Sequence, residues 1–163
     1  MHYQMNQDLF ENGDREQILA TVAKTFEEGI PFNRILDFDI KLNRDGAAEL
    51  SFQMRDDLVG NFLRGNLHGG VISSSLDVIG GLVAFVALLD QNLVQSFDER
   101  LERFSKMGTV DLRIDFLRPG LGRAFVATGS NLRAGRRIAV ARMELHNDSG
   151  TLIAVGTGTY SIG

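Results

Sequence analysis

Residues 67–89 read LHGGVISSSLDVIGGLVAFVALL, 23 positions that are almost all apolar or small. Asp77 is the one full charge set inside, and His68, Gly69 and Gly70 stand at the start. A helix apolar on every face has to be wrapped, by protein or by lipid. The stretch is long enough to span a bilayer, but Asp77, Ser73 to Ser75 and four glycines lower its hydrophobicity, and no Lys or Arg cluster abuts its C-terminal end. The expectation is therefore a core helix and no membrane span. A carboxylate buried in such a helix is costly unless something pairs or uses it, so Asp77 is the first candidate for chemistry.

What wraps the helix is legible on either side. Leu36, Phe38, Ile40 and Leu42 alternate with Asp37, Asp39 and Lys41, and Ala48, Leu50, Phe52 and Met54 alternate with Glu49, Ser51 and Gln53. The turn signal Asn43-Arg44-Asp45-Gly46 joins these two half-buried strands. Beyond the helix, Val110, Leu112, Ile114 and Phe116 alternate with Asp111, Arg113 and Asp115 as far as Arg118-Pro119-Gly120. Segments 123–132, 136–147 and 151–162 follow, separated by Arg133-Ala134-Gly135 and Asn147-Asp148-Ser149-Gly150, both hairpin signals. Two outer helices are expected. Asp14 with Gln17 and Ser96 with Glu99 fit capping boxes; Ile18, Val22 and Phe26 recur every four residues up to Gly29-Ile30-Pro31, and Phe97, Leu101 and Phe104 share one face of the second helix. The chain divides into a helical extension, residues 1–32, and a main domain, residues 33–163, of α+β class: about six antiparallel strands curled around one long helix.

Composition narrows the function classes. With 163 residues, 44% apolar and 23% charged, the chain suits a compact domain with a full core. A net charge of −4 with scattered basic residues argues against a nucleic-acid surface. Cysteine is absent, so disulfides and thiolate metal sites are excluded and a cytoplasmic setting is expected. The polar N-terminus, Met1 to Arg15, has no secretory signal pattern. His2, His68 and His146 are far apart, which leaves neither a metal-ligand spacing nor a Ser-His-Asp set.

His68-Gly69-Gly70, then five residues, then Leu76-Asp77, placed after a β-hairpin and opening the buried helix, resembles the hotdog-fold acyl-CoA thioesterases of the phenylacetate-degradation type. The similarity spans about residues 33–162. It implies a hotdog fold, hydrolysis of a thioester whose coenzyme A is part of the substrate, no resident cofactor, and sites built from two chains.

The residues themselves can be tested against that chemistry. Thioester cleavage needs a donor to polarise the carbonyl and a carboxylate to activate water or attack carbon. The Gly69 N–H, in the unsatisfied first turn of the helix, suits the first role, and Asp77 the second, as general base or nucleophile. Eight residues at about 1.5 Å rise put the two roughly 12 Å apart on one helix, whereas both must lie within about 3–4 Å of one thioester. Two antiparallel helices from a symmetric homodimer satisfy this; a dimer of dimers is equally compatible.

Supporting candidates follow. His68 either orients the thioester or a loop, or makes a local backbone hydrogen bond. The resemblance puts an Asn six residues before that His, where this chain has Phe62; a one-residue insertion makes Asn61 the counterpart, and Asn66 is the alternative, with a turn or helix-entry role as its ordinary reading. Aligning Arg118-Pro119 with the family's strand ending places Thr109 where relatives carry a Ser or Thr that touches the carboxylate or the water; β propensity alone also accounts for a Thr there. Gly70, Arg64, Arg136 and Arg137, with Arg133 and Arg118 as further basic groups, are candidates for substrate and coenzyme A phosphates. The Ser96–Lys106 helix departs from the family pattern and is a candidate lid. Phe62, Leu63, Ile79, Leu82 and Phe85 suit a tunnel or ordinary core. A non-catalytic acyl-CoA-binding module and a hotdog hydratase or dehydratase are the alternatives.

Overall fold

The computed structural model describes residues 14–90 and 96–162, without the side chains of Phe97 and Arg100. His2, most of the polar N-terminal stretch and the Phe97 side chain therefore lie outside the described residues. Helix α1 (Arg15–Lys24) opens on a complete capping box: the Asp14 carboxylate accepts from Gln17 N, and Gln17 Oε1 accepts from Asp14 N. It runs into a π-helical turn, Thr25–Gly29, and then a short helix α2 (Pro31–Ile35) with Pro31 in its first turn. Strands β1 (Asp39–Leu42) and β2 (Ala48–Gln53) form the first hairpin, closed by Gly46 at φ 80° with Asn43 Oδ1 accepting from Asp45 and Ala47 N. A small hairpin, β3 (Val59–Asn61) with β4 (Asn66–Leu67), leads into helix α3 (Gly69–Asp90). Helix α4 (Phe97–Ser105) carries the second capping box, Ser96 with Glu99. Strands β5 (Gly108–Phe116), β6 (Ala124–Ala134), β7 (Ile138–Asn147) and β8 (Leu152–Ser161) complete the chain.

Six strands pair antiparallel in the order β1-β2-β6-β7-β8-β5 and wrap α3. This is the hotdog arrangement that the sequence led us to expect. Leu76, Ile79, Leu82 and Leu88 of α3 are fully buried against Leu50, Phe125, Met143 and Leu145, and each such side chain contributes about 1.5–3 kcal/mol on leaving water. Small residues on the inner sheet face let the helix approach: a Cβ on Gly129 would stand 3.3 Å from the Ile79 carbonyl oxygen. The serine run does not break the helix, because Ser73, Ser74 and Ser75 Oγ donate to the carbonyls of Gly69, Gly70 and Ile72. Among the described residues α3 is the one helix long and apolar enough to cross a membrane, and 72% of its most apolar stretch is buried inside the protein.

Several expectations need correction. The first strand starts at Asp39, not Leu36: Asp37 adopts φ 53° and the chain turns out of α2 there, although Leu36 and Phe38 stay buried. Phe62 and Leu63 are not core residues; at 86% and 82% exposure they tip the β3–β4 hairpin. Leu101 is exposed and does not share the buried face of α4 with Phe104. The β3–β4 hairpin, α2 and the π turn have no periodic signal of their own; single residues mark them, such as Gly65 at φ 65° in the hairpin turn and Pro31 in the first turn of α2.

Candidate active site

Asp77 projects from the third turn of α3 into a pocket of about 410 Å³. Its side chain is half-buried, not fully enclosed as the surrounding apolar sequence suggested. Thr109 Oγ1 donates to Asp77 Oδ1 at 2.8 Å. Thr109 stands near the start of β5, beside a register shift between Thr109 and Asp111; a bulge of this kind re-aims a side chain out of the regular pleat. The strand and the helix thus bring together two residues 32 positions apart.

Tyr160, which sequence reasoning missed, supports the same spot. Its hydroxyl donates to the Asp77 carbonyl oxygen at 3.3 Å. A Cβ on Gly80 would lie 2.1 Å, and one on Gly158 2.6 Å, from the Tyr160 hydroxyl oxygen, so both glycines are dictated by the phenol. Burial, and after it the charge of Asp77, hold the Tyr160 hydroxyl well above its ordinary titration range, which keeps it a neutral donor. The glycine on the strand and the glycine pair on the helix were visible in the sequence; only tertiary contact connects them.

The N-terminus of α3 is held by His68. His68 N donates to Leu58 O, and Gly60 packs so closely that a Cβ there would stand 2.7 Å from His68 Cα. The His68 carbonyl accepts from Val71 and Ile72 N, and its Nδ1 accepts from Gly70 N at 2.9 Å. This is the local backbone bond weighed for His68, and an accepting Nδ1 leaves the proton on Nε2. It also occupies the Gly70 N–H. Of the four N–H groups in the first helical turn, only that of Gly69 has no acceptor among the described residues. The side of Gly69 where a side chain would stand faces the Phe116 ring at ordinary contact distance, 3.6 Å.

The remaining candidates sit elsewhere. Asn61 Oδ1 accepts from Leu63 N, and the Asn61 carbonyl accepts from Arg64 and Gly65 N, so Asn61 builds the hairpin turn that carries exposed Arg64. Asn66, its pairing partner across the hairpin, donates from Nδ2 to Leu67 O. Arg136 and Arg137 lie exposed in the β6–β7 turn, where Arg103 of α4 donates to the Arg136 carbonyl. That turn is near Thr109, because Thr109, Tyr160 and Ala139 are in register across three strands, a span of about 10 Å.

The rest of the pocket is apolar. Phe26, Ile30 and Phe32 come from the π turn and α2, Phe104 and Met107 from α4 and its exit, and Val78 and Gly81 from α3. The π turn is tied down by Asn33, whose buried amide Nδ2 donates to Phe26 O at 2.7 Å.

The Thioesterase superfamily profile matches residues 64–154 of this chain. The chain is 47% identical over 148 residues to the medium/long-chain acyl-CoA thioesterase YigI of Escherichia coli K12 and, to the same extent, to that of Salmonella typhimurium; the match covers 91% of this chain and 96% of each relative. Among solved structures, a thioesterase-superfamily-related protein from Shewanella oneidensis superposes with a TM-score of 0.85 at 43% identity, covering 91% of this chain and 97% of that one. A structure from Syntrophus aciditrophicus gives a TM-score of 0.78 at 42% identity, covering 91% of this chain and 98% of that one.

Proposed function

The chain belongs to the thioesterase superfamily and is a thioester hydrolase, and from that premise we propose that it cleaves medium- to long-chain acyl-CoA to the free acid and coenzyme A, with Asp77 as the reacting carboxylate. The observation that carries this is the Thr109–Asp77 hydrogen bond at the wall of an apolar pocket. Thr109 engages Oδ1, so Oδ2 is the oxygen left to act. It either takes a proton from water, whose oxygen bonds to the thioester carbon, or attacks that carbon itself. Either route builds a tetrahedral oxyanion whose collapse breaks the C–S bond and releases the thiolate. By the first, the proton taken from water passes to the coenzyme A sulfur; by the second, a water then hydrolyses the acyl-Asp77 anhydride, freeing the acid and the carboxylate and supplying the proton for the sulfur. Water and the chain's own groups suffice for these steps.

The oxyanion donor in this reading is the Gly69 N–H of the partner protomer. Roughly 12 Å of helix separates Gly69 from Asp77 within one chain, and the three neighbouring amides are already engaged by His68. A homodimer is supported by the two sheet edges. At β1, Glu27 Oε2 covers the edge by accepting from Ile40 N. At β5 the outer edge carries exposed Val110 and Phe116, an arrangement that invites pairing. In this reading Arg136 and Arg137 meet the phosphates of coenzyme A.

Asp77→Asn tests the assignment. It preserves shape and is expected to lower kcat/KM at least about 100-fold, the scale of a lost acid–base group, with the oligomeric state unchanged by sedimentation. Near-normal hydrolysis of every acyl-CoA offered would remove Asp77 from the chemistry.

A further inference from the structure

We infer that Gly81 sets the length of acyl chain that the pocket beside Asp77 accepts. This rests on the thioesterase reading, in which that pocket receives the acyl chain, and goes beyond it by assigning a gauge residue. Of the two arms of an acyl-CoA thioester, the pantetheine arm carries amides and the acyl arm carries none. The walls beyond Asp77 and Thr109 are aromatic and aliphatic, and burying amides there without partners would cost several kcal/mol. The one amide side chain in the wall, Asn33, has its Nδ2 committed to Phe26 O and its Oδ1 sealed from solvent. The volume, about 410 Å³, lies within the range of small-molecule pockets, about 300–1,000 Å³.

The glycine pair singles out the gauge. Gly80 is required by packing, because Tyr160 leaves its Cβ no room. Gly81 is not: a Cβ there would meet Tyr160 at 3.8 Å and Phe26 at 4.0 Å, ordinary contact. Glycine inside a helix costs about 1 kcal/mol relative to alanine, so a helical glycine without a steric reason keeps space for something else. Gly81 lies four residues after Asp77, on the same face and about 6 Å along the axis. A side chain longer than alanine would grow between the rings of Phe26 and Tyr160 and cap the pocket one turn beyond the carboxylate. The opposite wall is α4 and its exit, through Phe104 and Met107, and Phe104 meets Phe26 edge-on at 5.5 Å.

The test uses the full chain with acyl-CoAs from butyryl to hexadecanoyl, followed by thiol release, alongside binding of non-cleavable S-alkyl-CoA thioethers of the same lengths. Gly81→Leu, and Met107→Trp from the half-exposed opposite wall in case the first variant folds poorly, are each expected to lower the dodecanoyl-to-butyryl ratio of kcat/KM by about ten-fold or more, the scale of a lost methylene-sized fit. The variants should likewise abolish the gain in thioether affinity with chain length. An unchanged ratio with an unchanged affinity series overturns the assignment. Length-dependent thioether binding that Gly81→Leu abolishes, in a protein that hydrolyses nothing, would uphold the pocket and overturn the catalytic reading instead.

Discussion

Asp77 has one carboxylate oxygen engaged by Thr109 and its own carbonyl engaged by Tyr160, so the residue is held through both side chain and backbone at the wall of the pocket. A hydrogen bond to a charged group contributes about 1.5–3 kcal/mol. Thr109 is exposed in the single chain, which argues for the lower end. Thr109→Val is therefore expected to reduce kcat about ten-fold, since about 1.4 kcal/mol is a factor of ten, while KM holds and the melting temperature moves by no more than about 2–4 °C. A loss confined to KM would make Thr109 a binding residue and not one that positions the carboxylate. Asp77 stood out in the sequence as a charge without polar neighbours. Thr109 could be located only through the family's strand ending, and Tyr160 not at all, because an aromatic in a terminal strand says nothing about which helix turn it covers.

At the scale of the element, α1 carries more than its exposed face suggests. Val22, Ala23 and Phe26 enter the core, and the π turn that follows places Phe26 in the pocket wall. The helix starts on the reciprocal Asp14–Gln17 box. Asp14→Ala removes the side-chain half of it and is expected to cost about 1 kcal/mol, read as a fall in the urea midpoint at unchanged slope. A slope change would mean that α1 unfolds separately from the sheet. Helix α3 shows the converse division. Its length, its charge and its flanking glycines are legible in the sequence, but the difference between Gly80, where a Cβ has no room, and Gly81, where a Cβ makes only ordinary contact, depends on where Tyr160 falls.

For the whole molecule, the proposed site is complete only if Asp77 of one protomer meets Gly69 of the other. Proline at the first helical position is tolerated and lacks the N–H, and space beside Gly69 admits it, so Gly69→Pro removes the donor with the helix intact. Asp77→Asn and Gly69→Pro are each expected to be nearly inactive alone. Refolded together at equal amounts they should regain about a quarter of wild-type activity, since half the dimers are mixed and one of the two sites in each is intact. No recovery, with mixed dimers verified by mass, would place both groups of a site in one chain and end the shared-site proposal.

Strand alternation, turn residues, capping boxes and a helix apolar all round follow from local chemistry, so the order of elements and the one charge on the central helix were determined by the sequence alone. Where those elements met was decided by packing. The bulge that aims Thr109, the phenol that fills the space over Gly80, and the lining of the pocket by the π turn, α2 and α4 depend on contacts between residues tens of positions apart. No periodicity encodes such contacts, because each arises from the shape left between elements once the core has closed.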